Sequence, residues 1–176
     1  MNNEYNGTWA IDPTHSSVGF SVRHAMVATV RGTFDEVGGE VVIDGDQGSV
    51  NAEISIASIH TGQEKRDAHL RSADFFDAEQ HPVATYRSTG VEKLADDRFV
   101  VNGELALRGR VRPVALECTF AGIHVDHTGK TRAGLTATGV ISRKEFGMVW
   151  NAALEAGGVL VSDEVTLSLA MAAVKA

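Results

Sequence analysis

Residues 50–56 read VNAEISI, and this short alternation decides the fold of the chain. Every second residue is apolar, which produces one face made of Val50, Ala52, Ile54 and Ile56. A period of two indicates a half-buried β-strand, and its recurrence predicts about eight or nine strands. The pattern recurs at residues 18–24, 30–34, 41–43, 84–88, 99–107, 114–120, 133–137 and 165–171. Strands with one apolar face are typical of antiparallel sheets, so we expect an all-β fold.

One charged stretch interrupts the alternation and predicts a short helix. Residues 63–82 read QEKRDAHLRSADFFDAEQHP. Thr61 followed by Glu64 matches a capping box, which marks a helix N-terminus. Asp67 and Arg71 have the i, i+4 spacing of an ion pair, and Pro82 prevents the helix from continuing.

This helix has no broad apolar face with which to hold itself in place. Leu70, Phe75 and Phe76 are therefore expected to anchor it to an apolar surface. If the sheet is rolled on itself, the open end of the resulting barrel offers that surface. We therefore predict an eight-stranded antiparallel β-barrel with a short helical insertion that helps to close its mouth. Tight connections such as LADDR and VDHTGKT favour hairpins, and residues 1–176 are expected to form one domain.

The interior of such a barrel can be either filled or hollow. A barrel of about eight strands has room for its own side chains or for one small ligand. Several predicted inward positions carry small residues, which favours a cavity or tunnel: Ala52, Ala84, Ala133, Ala137, Gly32 and Gly103. An apolar wall would favour an apolar ligand through burial alone.

Composition and charge exclude several classes of protein. The chain has 176 residues and a formal net charge of −7, which makes nucleic acid a poor partner. Cys118 is the only cysteine, so an intramolecular disulfide is excluded. The first residues, MNNEYNGTW, lack the basic start and apolar run of a secretory signal, and no segment has about 18 consecutive apolar residues. A cytoplasmic location is therefore expected.

Five segments, in order, resemble one known family. They read WAIDPTHSSVGFSVRH, VRGTFDE, ISIASIHTGQEKRDAHLRSADFFDAEQHPVATYRST, VNGELALRGRVRPVAL and ISRKEFGM. These segments resemble the YceI-like family of polyisoprenoid-binding proteins over nearly the whole chain. The resemblance implies an extended, lipocalin-like barrel, a hydrophobic tunnel for a long isoprenoid or similar amphiphile, and a homodimer. The family usually has an aromatic residue, often Phe, where this chain has Tyr86, whose hydroxyl offers a contact for a polar ligand group.

The candidate site residues form two groups. Read together with the resemblance, the tunnel lining is expected to include Phe20, Val22, His24, Phe34, Ile54, Ile56, Leu70, Phe75, Phe76, Tyr86, Leu105 and Leu107. The alternation alone leaves open that these side chains, with Phe120, simply fill a core. The charged helix residues Arg66, Asp67, His69 and Arg71 either hold a ligand head group or fix the helix to the barrel rim. His24 either anchors a head group or bonds to nearby backbone.

Three functional hypotheses remain open at this point. The first is non-enzymatic binding, sequestration or transport of a lipid such as an isoprenoid quinone, with no cofactor. The second is an enzyme that acts on such a lipid through His15, His24 or His69, and the third is a stress-response interaction protein with a packed barrel. Asp12, His15 and Ser16 have the residue types of a triad, but a turn that bonds to local backbone explains them better. His124, Asp126 and His127 crowd one turn without the spacing of a structural metal site.

Overall fold

The computed structural model describes residues 3–176. Met1 and Asn2, the first two residues of the stretch MNNEYNGTW, lie outside the described residues. The described residues form eleven strands and one α-helix. The strands are β1 (Gly7–Ile11), β2 (Ser17–His24), β3 (Ala28–Phe34), β4 (Val37–Asp44), β5 (Gln47–Ser55), β6 (Ile59–His60), β7 (Val83–Lys93), β8 (Arg98–Leu107), β9 (Arg110–Val125), β10 (Thr131–Ser142) and β11 (Val161–Lys175). The helix α1 (Glu64–Arg71) lies between β6 and β7. None of the helices in this range is long and apolar enough to cross a membrane.

Eight strands close into a ring. The order is β1-β4-β5-β7-β8-β9-β10-β11, and β1 pairs again with β11. All of these pairings are antiparallel, and the closing register includes Trp9 opposite Lys175 and Ile11 opposite Ala173. Closure removes the unpaired edge that an open sheet would present. The predicted eight-stranded antiparallel barrel with a short helix is therefore confirmed.

The other three strands lengthen the wall at one end of the ring. One edge of β11 pairs first with β2, from Val161 to Ala170, and then with β1. β1 and β2 are thus two halves of one interrupted wall strand, and β3 and β4 continue each other beside them. At the first interruption, the Ser16 hydroxyl donates to the Ala172 carbonyl (3.1 Å) and accepts from its N–H (3.0 Å). The side chain thereby replaces the strand pairing that the turn removes.

The helix begins differently from the prediction. Its N-cap is Gln63, which makes no side-chain capping bond. The Thr61 hydroxyl instead donates to the buried Asp67 carboxylate and accepts from Nε of Arg66. The predicted capping box of Thr61 and Glu64 is therefore wrong, because the Thr61 hydroxyl bonds to the buried carboxylate of Asp67 and not to the backbone at the start of the helix.

The predicted helical ion pair is also wrong. The Arg71 guanidinium donates to the carbonyls of Ala57 (3.1 Å) and Ile59 (3.2 Å), so it ties the helix to the β6 edge and not to Asp67. The helix ends at Arg71, and turns rather than further helix lead to Pro82. Leu70, Phe75 and Phe76 pack against the core as predicted, with Phe75 only 7 % exposed.

A charged network joins the turn after β1 to the β9–β10 hairpin. Arg132 donates from Nη1 to Asp12 Oδ2 (2.5 Å) and from Nε to Asp126 Oδ2 (2.6 Å). A hydrogen bond with His15, helped by Thr14 N–H and Arg132, lowers the pKa of Asp12 to about 2. Bonds from Thr128 and then Arg132 hold the pKa of Asp126 well below its usual range.

These lowered pKa values predict a loss of stability in acid. The folded state favours both carboxylates in their charged form, so their contribution is complete above the unfolded pKa of about 3.9 and disappears as pH falls through the folded values. The melting temperature should therefore fall steeply below about pH 4, and it should fall less steeply in Arg132→Met. Thermal melts of both proteins across this range test the network, and superimposable pH profiles would contradict it.

Candidate functional site

The larger of two cavities inside the barrel lies at the end formed by β1. Its volume is about 210 Å³, and no polar atom reaches its wall. Many of its lining side chains are small or branched: Ala52, Ala133, Ala137, Ala172, Ala173, Val50, Val101 and Val114. Tyr5 and Trp9 lie at its end, where Trp9 Nε1 donates to the Tyr5 carbonyl (2.8 Å) and Tyr5 packs edge-on against Phe120. This chamber can hold hydrocarbon but offers it no hydrogen-bond partner.

The smaller cavity lies next to α1. Its volume is about 130 Å³, and its wall is also entirely apolar. Ten of the twelve predicted tunnel residues line it: Phe20, Val22, Phe34, Ile54, Ile56, Leu70, Phe75, Phe76, Leu105 and Leu107. Ile54 and Leu105 also line the larger chamber, as does the predicted Tyr86. The structure thus brings eleven of the twelve onto cavity walls, while their role in ligand binding stays a prediction.

The exception is His24. It is the last residue of β2, opposite Ala28 and Val161, and it lines neither of the two cavities. The alternation places it on the apolar face, but His24 is absent from the cavity wall even though Val161, its partner on β11, lines the smaller cavity. Neither chamber therefore places an imidazole beside an occupant at this position.

The charged helix residues bond mainly to the protein itself. Arg66 donates to the Thr61 hydroxyl and carbonyl, and Asp67 accepts from the Thr61 N–H. His69 Nε2 lies 2.8 Å from Asp74 Oδ2, and its ring packs edge-on against Trp150. These contacts are those of the second alternative, in which the charges fix the helix to the rim. A head-group role for the same residues stays a prediction.

Arg143 is a wall residue that the sequence analysis missed. Its side chain is 3 % exposed, and its stem lines the smaller cavity. The guanidinium donates to four carbonyls, those of Met148, Trp150, Val161 and Ser162. Burial lowers the pKa of Arg143, and the charge of Asp163 partly offsets this. No local pattern around residue 143 signals that a loop will wrap a buried cation with its carbonyls.

Tyr86 faces the larger chamber with its ring but not with its hydroxyl. The hydroxyl oxygen lies 3.0 Å from the carbonyl oxygens of both Val101 and Val114, and its single proton is donated to one or shared between the two. Burial raises the pKa of Tyr86 to about 12, and burial raises the pKa of the nearby Cys118 thiol to about 11. The predicted contact between this hydroxyl and a polar ligand group therefore competes with two backbone acceptors.

Two inward glycines make room for rings and not for a ligand. A Cβ on Gly103 would overlap the Tyr86 ring, and one on Gly32 would lie 2.5 Å from Cζ of Phe20. The alanines of the predicted set do line cavities, since Ala52, Ala133 and Ala137 face the larger chamber and Ala84 the smaller. The expectation that Gly32 and Gly103 leave free space is thus wrong.

The fit around Gly32 predicts a clear loss of stability on adding one methyl group. We expect Gly32→Ala to lower the free energy of unfolding by about 1–3 kcal/mol, because the methyl would overlap Phe20 and Thr61. Gly90→Ala is the matched control, since a Cβ there meets nothing within 4 Å. Urea unfolding should show the loss for Gly32→Ala, and a smaller loss when Phe20 is first shortened to Leu. Equal stability of the two alanine variants would contradict this packing.

Asp12, His15 and Ser16 do not form a triad, because His15 and Ser16 bond to different partners. Nδ1 of His15 lies 2.9 Å from Asp12 Oδ2, while Ser16 bonds to the backbone of Ala172. The expected turn is present, since the His15 N–H donates to the Asp12 carbonyl, and Ser16 bonds to backbone as expected, but the His15 side chain bonds to a carboxylate instead. Within residues 3–176, no three His, Cys, Asp or Glu side chains converge as a metal site, and Asp126 is bonded to Arg132 and Thr128.

Comparison with known proteins identifies the family. The model of the YceI-like domain matches residues 9–173. The chain belongs to the YceI-like family. A UPF0312 protein of Photorhabdus laumondii is 38 % identical over 135 residues, which cover 75 % of this chain and 70 % of that protein.

Solved structures share the YceI-like fold. BcnA of Burkholderia cenocepacia superimposes with a TM-score of 0.79 at 22 % identity, covering 92 % of this chain and 98 % of BcnA. A polyisoprenoid binding domain from Saccharophagus degradans has a TM-score of 0.73 at 16 % identity, covering 96 % of this chain and 98 % of that domain. At such identities the similarity shows the fold alone.

Proposed function

We propose that this protein binds a long-chain isoprenoid or similar amphiphilic lipid inside its barrel and sequesters or transports it without chemical change. The observation that carries the proposal is the pair of wholly apolar cavities within a closed wall. The polyisoprenoid binding of the Saccharophagus domain, which has the same fold, supports the ligand class.

The size and chemistry of the larger chamber support a hydrocarbon occupant. Its volume of about 210 Å³ exceeds the roughly 150 Å³ of an engineered apolar cavity that stays dry and binds benzene. Each buried methylene contributes about 0.8 kcal/mol, so a chain of several carbons gains useful affinity through burial alone. The polar end of such a ligand would lie outside the chambers, because no polar atom reaches either wall.

The same apolar walls support binding without turnover. Acid–base catalysis needs a titratable group within hydrogen-bond reach of the reacting atom. His15 is bonded to Asp12, His69 lies beside Asp74, and His24 lines neither chamber. An added prenyl alcohol should therefore be recovered unchanged after long incubation. Turnover that disappears in a His→Ala variant would favour the enzyme hypothesis instead.

Mass spectrometry of an organic extract tests the binding proposal. Gently purified protein should release a lipid in stoichiometric amount, or take up an added prenyl alcohol. Ala137→Phe should reduce uptake at least tenfold, because Ala137 lines the larger chamber. Ala170→Phe, on the exposed face of β11, is the matched control and should bind as the wild type does. Neither bound lipid nor uptake, in protein that melts cooperatively, would overturn the proposal.

The predicted cytoplasmic location and homodimer stay predictions. Sedimentation of the purified chain at several concentrations measures the oligomeric state directly.

A further inference from the structure

We infer that four side chains form a waist that sets the length of hydrocarbon the barrel accepts without rearrangement. They are Val18, Ile54, Leu105 and Leu167, and they are the residues that line both cavities. Every other lining residue belongs to one chamber alone. The inference rests on the proposed function, because it concerns the hydrocarbon bound at the same site.

The strands show that the two chambers follow each other along the barrel. On β5, Ala52 lines the larger chamber, Ile54 both chambers, and Ile56, just beyond the strand, the smaller chamber alone. Inward residues recur every two positions, a step of about 6–7 Å along a strand. The same succession is seen for Leu169, Leu167 and Val165 on β11. The waist therefore lies at one level of the lumen.

The waist narrows the lumen from opposite sides. Ile54 and Leu105 lie on β5 and β8, which flank β7, whereas Leu167 and Val18 lie on the paired strands β11 and β2. All four are branched aliphatic residues, so they narrow the passage without offering a polar contact. Ile54 is 8 % exposed, and the other three pack partly buried against the core.

Small side chains are concentrated on one side of the waist. Four aromatic side chains line each chamber, but the larger chamber also has five alanines, whereas the smaller one has only Ala84 beside Phe20, Phe34, Phe75 and Phe76. A short chain fills the larger chamber without moving these side chains. A longer chain must displace the leucines of the waist and then enters a chamber narrowed by phenylalanine rings. Each further methylene therefore contributes less binding free energy. The four residues thus select by chain length.

A series of straight-chain alcohols tests this selection. Titration calorimetry with hexanol, octanol, decanol, dodecanol and hexadecanol should show affinity rising about fourfold per methylene up to one chain length and then levelling off. That chain length is the break in the series. Leu105→Ala and Leu167→Ala should move the break to longer chains. Leu94→Ala is the matched control, because Leu94 is exposed in the turn between β7 and β8 and lines neither chamber. It should leave the break where it is in the wild type.

The outcomes separate this inference from the proposed function. An affinity that rises smoothly through the whole series, or a break that Leu105→Ala and Leu167→Ala leave in place, would overturn the waist while leaving lipid binding intact. No binding of any alcohol would overturn both. Leu105→Val and Leu167→Val remove less volume and serve if an alanine variant does not fold, and they should shift the break in the same direction by a smaller amount.

Discussion

Arg143→Met is expected to lower the free energy of unfolding by about 4 kcal/mol, because it leaves buried carbonyls without a donor. Arg143 is 3 % exposed and donates to Met148, Trp150, Val161 and Ser162. Hydrogen bonds to a charged group are worth about 1.5–3 kcal/mol each, and an unsatisfied buried acceptor costs about 1–3 kcal/mol. The carbonyls of Met148 and Trp150 belong to the segment that leads back to β11, so the change should also loosen this segment.

Urea unfolding followed by circular dichroism measures the effect. Arg98→Met is the matched control, since Arg98 is exposed and a surface change of this kind stays within about 0.5 kcal/mol of the wild type. Hydrogen exchange should speed up in residues 147–161 of Arg143→Met. A loss no larger than that of Arg98→Met would show that these bonds do not stabilise the fold.

Trp9→Ala is expected to lower the free energy of unfolding by about 3–5 kcal/mol, the range for a large buried aromatic side chain. Trp9 is 2 % exposed and lies on β1, the strand that closes the ring between β4 and β11. Its indole N–H donates to Tyr5, and the Lys175 ammonium lies 5.3 Å from the ring centroid. Removal of the indole therefore weakens both the packing of the core and the contact with Lys175, where β1 pairs with β11 to close the barrel.

The second tryptophan provides the comparison. Trp150 is half-buried and packs against His69 and Phe75 at the other end of the barrel. Trp150→Ala should lower the stability by less than Trp9→Ala, since less apolar surface is lost from the interior. If the two variants unfold at the same urea concentration, Trp9 does not have the closing role described.

The alternation of residue types predicted the barrel because it reports directly on burial. Ala52 and Ile54 fall on one face in the sequence and on cavity walls in the structure. Phe75 and Phe76 were predicted to anchor the helix for a similar reason, since a helix without a broad apolar face needs apolar residues beside it to hold it against the core. For these residues the predicted face is the one that the structure buries, whereas His24, predicted on the same face as Val22, lines neither cavity.

The predictions that failed depend on contacts distant in sequence or on the shapes of neighbours. Thr61 and Glu64 match a capping box, but the buried carboxylate of Asp67 binds the Thr61 hydroxyl. Gly32 looks like free space, yet the Phe20 ring fills it from the neighbouring strand. The burial of Arg143 depends on carbonyls up to 19 residues away.

The most direct test of the central claim is an NMR measurement with farnesol and methyl-labelled protein. If the hydrocarbon lies inside the barrel wall, intermolecular nuclear Overhauser effects should connect farnesol to Val114 and Leu135, which line the larger chamber. Val111 and Val140, which are exposed on the same strands, should show none. Contacts confined to Val111 and Val140, or no contacts at saturating farnesol, would contradict an interior binding site.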